Sequence, residues 1–489
     1  MWTICLIDGW AASRFIRPLN LQKIMNYKQL ATVLISLAII VSSFGSGIAI
    51  THAQASSPNV IFVSATGSNI TGNGSAVNPY ATISYAVSKA APYSIIEVEP
   101  GVYYGTVNIT KPVILESSNL DPADTIINAL NQTSGIEVIG GNSNGTEING
   151  LTVEYADTSG IYVQNSFDVL IENNIVASNS ILPNSNPMRN FAVELVGTSN
   201  STVVSNQVIG NVNSGGIGIF DLAQYSSGSI SMGVPSPADG NIISGNTVMN
   251  NYGGQGILVA SYNQAGVTGN VIENNYVVSD KEGIAIRADV NGSRAIRNQI
   301  IGNTVLRNGG GGISLLSYGT DSIIVHTIID KNFIAQNNGS EYNKAVGIFL
   351  GASLDKSSKV NDTTISGNRI YQEDFGILVS NATNVRVLDD NAYEDVVVPL
   401  QGATSVKTIA INDINVLNSK IASLNSSILG IESSSTSTIS NLSATVSGLM
   451  AEVNSLKGQE SASYIISIAA IIIAIIFGLI AILLAIRRK

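Results

Sequence analysis

From about residue 60 to residue 400, apolar residues fall in runs of three to five, rich in Ile and Val and cut by Gly and Asn. Two marks recur. The first is Gly-Ile-x-[IVL], at Gly135, Gly160, Gly216, Gly256, Gly283, Gly312, Gly347 and Gly376, with a variant opened by Ala192. The second is a β-rich run that ends in Asn and restarts with an apolar pair. It occurs at Asn206, Asn246, Asn270, Asn303, Asn332 and Asn368, and more loosely at Asn149, Asn173 and Asn391. Gly-Ile marks return every 24 residues (Ala192 to Gly216) to 40 residues (Gly216 to Gly256). No 3.6-residue period runs through the region, which excludes a helical repeat. Short strands at this step predict an all-β solenoid with three strands per turn, a parallel β-helix of about ten coils. A propeller needs longer antiparallel strands, and the Leu framework of a leucine-rich repeat is missing.

The pattern changes at both ends. Ile83, Ala86, Val87 and Ala90 share one helical face. Asn78 is the expected cap and Pro79 the first helical residue. This short helix is expected to cover the open N-terminal end of the solenoid, where bare strand edges invite aggregation. Past Leu400, Ile414, Leu417, Ile421, Leu424, Ile428 and Ile431 keep a 3-4 spacing, and Ile439, Leu442, Val446, Leu449, Val453 and Leu456 repeat it. The step of eight between Ile431 and Ile439 is a stutter. Residues 406–460 therefore read as a coiled-coil stalk that joins copies of the chain. A flexible Ser/Thr-rich linker is the alternative, since "SSSTSTIS" interrupts the pattern.

Two long apolar runs set the expected compartment. Leu30–Ile50 follows Lys28 and precedes Ala53-Gln54-Ala55, as in a secretory leader cut after Ala55. An uncleaved anchor is the alternative, and Met25 is a second candidate start. Tyr464–Ile486 carries no charge and is long enough to span a bilayer of ~30 Å. Arg487, Arg488 and Lys489 follow, a basic flank that favours the cytoplasmic side. The expected layout is a leader at 1–55, a β-helix at 56–405 outside the cell and the stalk at 406–460. A single membrane span at 464–486 and a cytoplasmic tail at 487–489 complete it.

The two marks resemble the right-handed parallel β-helix repeats of the pectin-lyase-like superfamily. They are especially similar to NosD-type periplasmic repeats and to the carbohydrate-binding and sugar-hydrolase β-helix domain. The stretch "NPYATISYAVSKAAPYSIIEVEPGVYYGTVNITKPVILES" is similar to the usual opening of such domains. The resemblance covers roughly Val60–Leu400. It implies a right-handed parallel β-helix and leaves the activity open.

Composition narrows the function. Lys and Arg number 24 against 34 Asp and Glu, a net charge of −10, which argues against a nucleic-acid partner. The single cysteine, Cys5, excludes an intrachain disulfide. Asn-x-Ser/Thr sequons stand at Asn69, Asn73, Asn108, Asn131, Asn144, Asn200, Asn291, Asn338, Asn361, Asn381, Asn425 and Asn441, all on the expected outer side.

The resemblance implies a scaffold shared with enzymes that act on acidic polysaccharides, whose catalytic residues leave recognisable marks. A hydrolase of the polygalacturonase kind needs paired carboxylates and a Gly-His-Gly segment. The two histidines, His52 and His326, are not in one, and Asp389-Asp390 falls at a turn position. No CxxC, HExxH or G-x-S-x-G occurs, and "NGGGGIS" lacks the Lys-Ser/Thr of a phosphate loop. No metal-ligand cluster stands out and no cofactor is expected; calcium is the alternative that the resemblance implies for a lyase.

Alignment on the Gly-Ile mark places Asp221, Tyr262, Arg287, Asp289 and Tyr318 near one face as candidate ligand-binding residues. Asp221, Arg287 and Asp289 are the candidates for catalysis, and a solvated turn edge is the alternative reading. Insertions recur in one sector of successive coils, the longest being Asp221–Gly240, an expected binding wall. The missing catalytic set leans toward a surface protein that binds glycans or serves as an envelope or adhesion component. An anchored lyase, hydrolase or epimerase for acidic glycans, and a surface-lattice subunit, are the alternatives.

Overall fold

The computed structural model describes residues 59–182, 191–226, 229–338, 344–353, 357–402 and 406–409. The leader, nearly all of the stalk, the run Tyr464–Ile486, Asn425 and Asn441 lie outside them. Among the described residues no helix is long and apolar enough to cross a membrane.

The strands stack into three long sheets whose neighbours are parallel and one coil apart. The front sheet has eleven strands, from Val107–Ile109 to Val398–Gln401, and contains every Gly-Ile mark. The second sheet has thirteen, from Val60–Val63 to Val406–Ile409, and the third has eleven, from Gly101–Tyr104 to Ala392–Glu394. Each coil runs front, second, third, then on to the front of the next coil. Three strands per turn holds in the early coils. From Val267 onward a five-stranded side sheet, Val267–Thr268 to Ala382–Thr383, adds a fourth strand between front and second. The longer connections leaving the front strands there supply the extra residues.

Register explains the Gly-Ile mark. Ile257, Ile284, Ile313, Ile348 and Ile377 lie opposite one another in successive coils. All are fully buried, so each mark contributes one rung of a continuous aliphatic core. The glycine before the isoleucine sits where the third-sheet strand crowds the corner. A Cβ on Gly256 would stand 2.3 Å from Val277 Cγ1, and one on Gly283 would stand 2.1 Å from the Gly312 carbonyl oxygen.

Asparagines hold the corners. Between the second and third sheets the chain bends through a residue with positive φ, such as Gly302 (φ 66), and then Asn303 turns its side chain inward. Asn303 Oδ1 accepts from the Asn275 N–H at 2.9 Å and from Asn275 Nδ2 at 3.0 Å. Its Nδ2 donates to the Ile272 carbonyl at 2.9 Å and to Asn332 Oδ1 at 3.0 Å. The column runs Asn174, Asn206, Asn246, Asn275, Asn303, Asn332, Asn368 and Asn391. A carboxamide offers the donors and acceptor of a peptide group, so it pairs backbone that the bend leaves without a sheet partner.

Three sequence expectations need correction here. Asn173 is the positive-φ residue (φ 53) before the rung, and Asn174 is the rung. Asn149 is outside the column, whose place in that coil is held by Leu151. Asn270 belongs to a separate column with Ser201, Asn241 and Asn298, at the corner before the second sheet.

A further column, between third and front sheets, runs Asn179, Asn211, Asn251, Asp280, Asn308, Asn337 and Glu373. Two of its rungs are acids. Asp280 Oδ1 and Glu373 Oε1 accept as an amide oxygen would, while Asp280 Oδ2 and Glu373 Oε2, in the place of the amide nitrogen, have no partner. Burial pushes both carboxyls up to about 7, against the pull of the Asn251 and Asn337 amides.

The one α-helix among the described residues, Ile83–Lys89, starts later than expected. Its cap is Thr82, whose Oγ1 accepts from the Tyr85 N–H at 3.3 Å, and not Asn78. Pro79 lies in the extended lead-in, since Tyr80 bridges Val63. Ile83, Ala86 and Val87 are buried against Val60–Val63, Ser94–Val98 and Val107–Ile109.

Candidate functional site

From Ser159–Gln164 to Val346–Ala352 the front sheet is almost wholly buried on both faces. Its outward residues form rows across the coils. One runs Tyr162, Glu194, Gly218, Leu258, Ala285 and Ser314, the next Val196, Phe220, Ala260, Arg287 and Leu316. Aromatic rings cluster there, with Phe191 and Phe220 centroids 5.4 Å apart and Phe220 and Tyr262 5.7 Å apart. Gly218 gives the rings room, because a Cβ there would lie 2.5 Å from the Phe220 ring.

A polar edge follows at the C-terminal ends of three of these strands. Arg287 Nε donates to Asp289 Oδ1 at 3.2 Å. The Tyr262 hydroxyl donates to the same carboxylate. The Arg287 guanidinium lies 5.4 Å from the Tyr318 ring centroid, within cation–π range. Tyr262 is nearly buried and Tyr318 is 39% exposed, while the Arg287 and Asp289 side chains are 27% and 15% exposed. Burial raises the Asp289 carboxyl, and Arg287 and Tyr262 oppose the shift. Four of the five residues grouped from sequence therefore meet.

The fifth, Asp221, does not share their face. It is fully buried and continues the inward parity of Ile217 and Ile219. It accepts from Ser261 Oγ at 2.8 Å and from the N–H groups of Tyr262 at 2.6 Å, Asn263 at 3.2 Å and Gly266 at 2.9 Å. Burial lifts its carboxyl to about 6 despite these bonds. Asp221 ties down the 261–266 loop and is closed to a ligand. Its insertion forms an antiparallel hairpin, Leu222–Ser226 with Ser229–Ser236.

A second cluster escaped the sequence reading. His326, Asp362 and Asn384 occupy equivalent positive-φ corners of successive coils (φ 58, 54 and 51). The His326 Nδ1–H donates to Asp362, and Arg386 Nη1 donates to the other oxygen of that carboxylate. Arg386 Nη2 reaches Thr364 Oγ1 at 3.0 Å. Burial alone would raise Asp362; Arg386 and His326 outweigh it and hold the carboxyl below its ordinary range. A cleft of about 260 Å³ is lined by Asn361, Asp362, Asn384 and Arg386. The signal was the position before a corner column, visible once the register is known.

Asp389 and Asp390 sit in an exposed turn. Among the described residues no three His, Cys, Asp or Glu groups form a ready metal cage. Of the sequons, Asn73, Asn108, Asn131, Asn200, Asn291, Asn338 and Asn381 are exposed, and Asn69, Asn144 and Asn361 are half-buried.

Residues 114–300 match the family model described as a right handed beta helix region. With the parallel three-sheet topology, this makes the fold a right-handed parallel β-helix. A search of curated proteins gives no match. Among solved structures the chain is similar to a Yersinia enterocolitica family 28 exopolygalacturonase, at 10% identity and TM-score 0.45, covering 72% of this chain and 78% of that one. It is similar to the pectate lyase Pel9A at 17% identity and TM-score 0.42, covering 64% and 80%. It is also similar to PfbA, a surface adhesin of Streptococcus pneumoniae, at 13% identity and TM-score 0.38, covering 63% and 85%. At these identities and scores the likenesses assign neither substrate nor chemistry.

Proposed function

We propose that this protein is a cell-surface β-helix that binds glycans at the edge formed by Tyr318, Arg287, Asp289 and Tyr262. The exposed Tyr318 ring, backed by the Arg287–Asp289 pair, carries the reading. A sugar ring has an apolar C–H face and a rim of hydroxyls. An aromatic face takes the first, and charged donors and acceptors in fixed geometry take the second. Binding is favoured over turnover because Asp221 is saturated by protein donors and Asp289 is committed to Arg287 and Tyr262. The hairpin of the Asp221–Gly240 insertion leaves the sheet next to this edge in sequence and is the proposed wall.

A second reading, an anchored hydrolase or lyase, draws on His326. Asp362 orients its imidazole, and the ring is half exposed beside the cleft. An array of neutral and uronic-acid glycans, with turnover measured on the same polymers, separates the two. The binding reading expects retention without cleavage. Cleavage lost in His326→Gln would replace it with the enzyme reading.

The proposal includes the leader at 1–55, the stalk at 406–460 joining copies and a single span at Tyr464–Ile486 that leaves the C-terminus in the cytoplasm. The full chain is then expected to sediment with membranes and to be degraded by protease added outside intact cells. A chain ending before Tyr464 is expected in the medium. Recovery of the full chain in the soluble cell fraction would refute the anchor.

A further inference from the structure

The second sheet carries an acidic column on its outward face near the N-terminal end. Glu97 lies opposite Glu116, Glu116 opposite Asn149, and Asn149 opposite Glu172 in successive coils. Glu147 shares the face two residues before Asn149. Coils stack at ~4.8 Å, and like charges opposite one another on a sheet are destabilising. Among the described residues no Lys or Arg forms an ion pair with any of these four glutamates.

Asn149 makes the column unusual. It is 7% exposed, although it faces outward. Its Nδ2 donates to Glu172 Oε1 at 2.7 Å and stands 3.5 Å from Glu147 Oε1. Its Oδ1 is buried and without a partner. The Glu172 carboxylate fixes the amide orientation, because exchanging nitrogen and oxygen would set two acceptors together. In the preceding coil the residue opposite Asn149 is Glu116. A buried amide oxygen with no donor, set in a column of acids, lacks the positive partner that a cation would supply.

We propose that Asn149 Oδ1, Glu116 and Glu147 hold a hard divalent cation, calcium by preference, on the outward face of the second sheet. Calcium takes a mixture of carboxylate, amide and water oxygens, so two acids and one carboxamide suffice when water completes the shell. The ion would join two adjacent coils across the column and remove the repulsion among its acids. The site is on a different sheet from the Tyr318 edge and does not depend on the glycan reading.

The test is thermal unfolding of the purified full chain in detergent, followed by far-ultraviolet circular dichroism, in EDTA and in about 5 mM calcium chloride. That concentration exceeds the ~10⁻⁴–10⁻³ M range of extracellular calcium sites. The wild type is expected to gain about 2 °C or more with calcium. Glu116→Gln is expected to lose that gain, and to unfold in EDTA no earlier than the wild type, since its amide can donate to Asn149 Oδ1. A wild-type midpoint unchanged by calcium would overturn the proposal, because a proton on Glu116 would then account for the arrangement. So would a Glu116→Gln protein that keeps the full calcium shift.

Discussion

Asn303→Ala is expected to lower unfolding stability by about 4 kcal/mol or more, although it removes no aliphatic core residue. The Asn303 side chain accepts the Asn275 N–H and amide and donates to Ile272 and Asn332, all inside the solenoid. Alanine strands the Asn275 N–H, at about 1–3 kcal/mol, and removes one bond each, at about 0.5–1.5 kcal/mol, from the Ile272 carbonyl, from Asn275 Nδ2, which keeps the Ile243 carbonyl, and from Asn332 Oδ1, which keeps the backbone N–H of residue 303. Arg307→Ala, at an exposed corner of the same coil, is the comparison and is expected to stay within about 0.5 kcal/mol of wild type. Urea unfolding followed by circular dichroism checks both. A loss below about 1 kcal/mol for Asn303→Ala would mean that water serves the corner as well as the amide does.

The second large effect is in pH. Asp280 and Glu373 stand in an amide column and are pushed up to about 7. A carboxyl raised in the folded state contributes stability that is fully present below its unfolded value, near 4, and is lost as pH rises through about 7. Asp221, raised to about 6, acts in the same direction. The protein is therefore expected to unfold at a higher temperature at pH 5 than at pH 8. Asp280→Asn supplies the missing amide donor and removes one ionisation. It is expected to flatten the dependence and stabilise the protein at pH 8 by about 4 kcal/mol, since each tenfold weakening of the buried acid corresponds to roughly 1.4 kcal/mol. Melting curves from pH 5 to 8 decide it. A midpoint that rises with pH, or an Asp280→Asn protein no more stable than wild type at pH 8, would show Asp280 to be ionised without penalty.

The fold was legible because a solenoid repeats its constraints. Each Gly-Ile mark reports the same crowded corner and the same inward isoleucine, and together they set strand length, period and core. Columns are harder to separate. Gly-Asn before an apolar pair occurs at more than one corner, so the pattern merges Asn270 with Asn246 and Asn303 and passes over Asn275, which Asn274 precedes. Asn173 and Asn174 are alike in sequence because either could hold the positive-φ position.

The candidate edge was legible for a related reason. Tyr262, Asp289 and Tyr318 share a register position, and Arg287 lies one outward step before it. Alignment misplaces Asp221 because it gives the distance from the mark and not the side of the sheet. The parity of Ile217 and Ile219 already pointed it inward. The His326–Asp362–Arg386 cluster draws on three coils and on the side sheet, which no local pattern announced. Likewise, the Gly309–Gly311 run answers to a neighbouring coil, since a Cβ on Gly310 would stand 3.2 Å from the Lys281 carbonyl oxygen and 3.3 Å from the Glu282 side chain.

The reading of this protein as a glycan binder is tested most directly by the affinity of wild type and Tyr318→Ala for a glycan retained on the array. The account predicts binding that weakens about tenfold or more in Tyr318→Ala, roughly 1.4 kcal/mol, with an unchanged melting temperature and intact polymer recovered from both. Equal affinity in the two proteins, or cleaved polymer after incubation with the wild type, would contradict it.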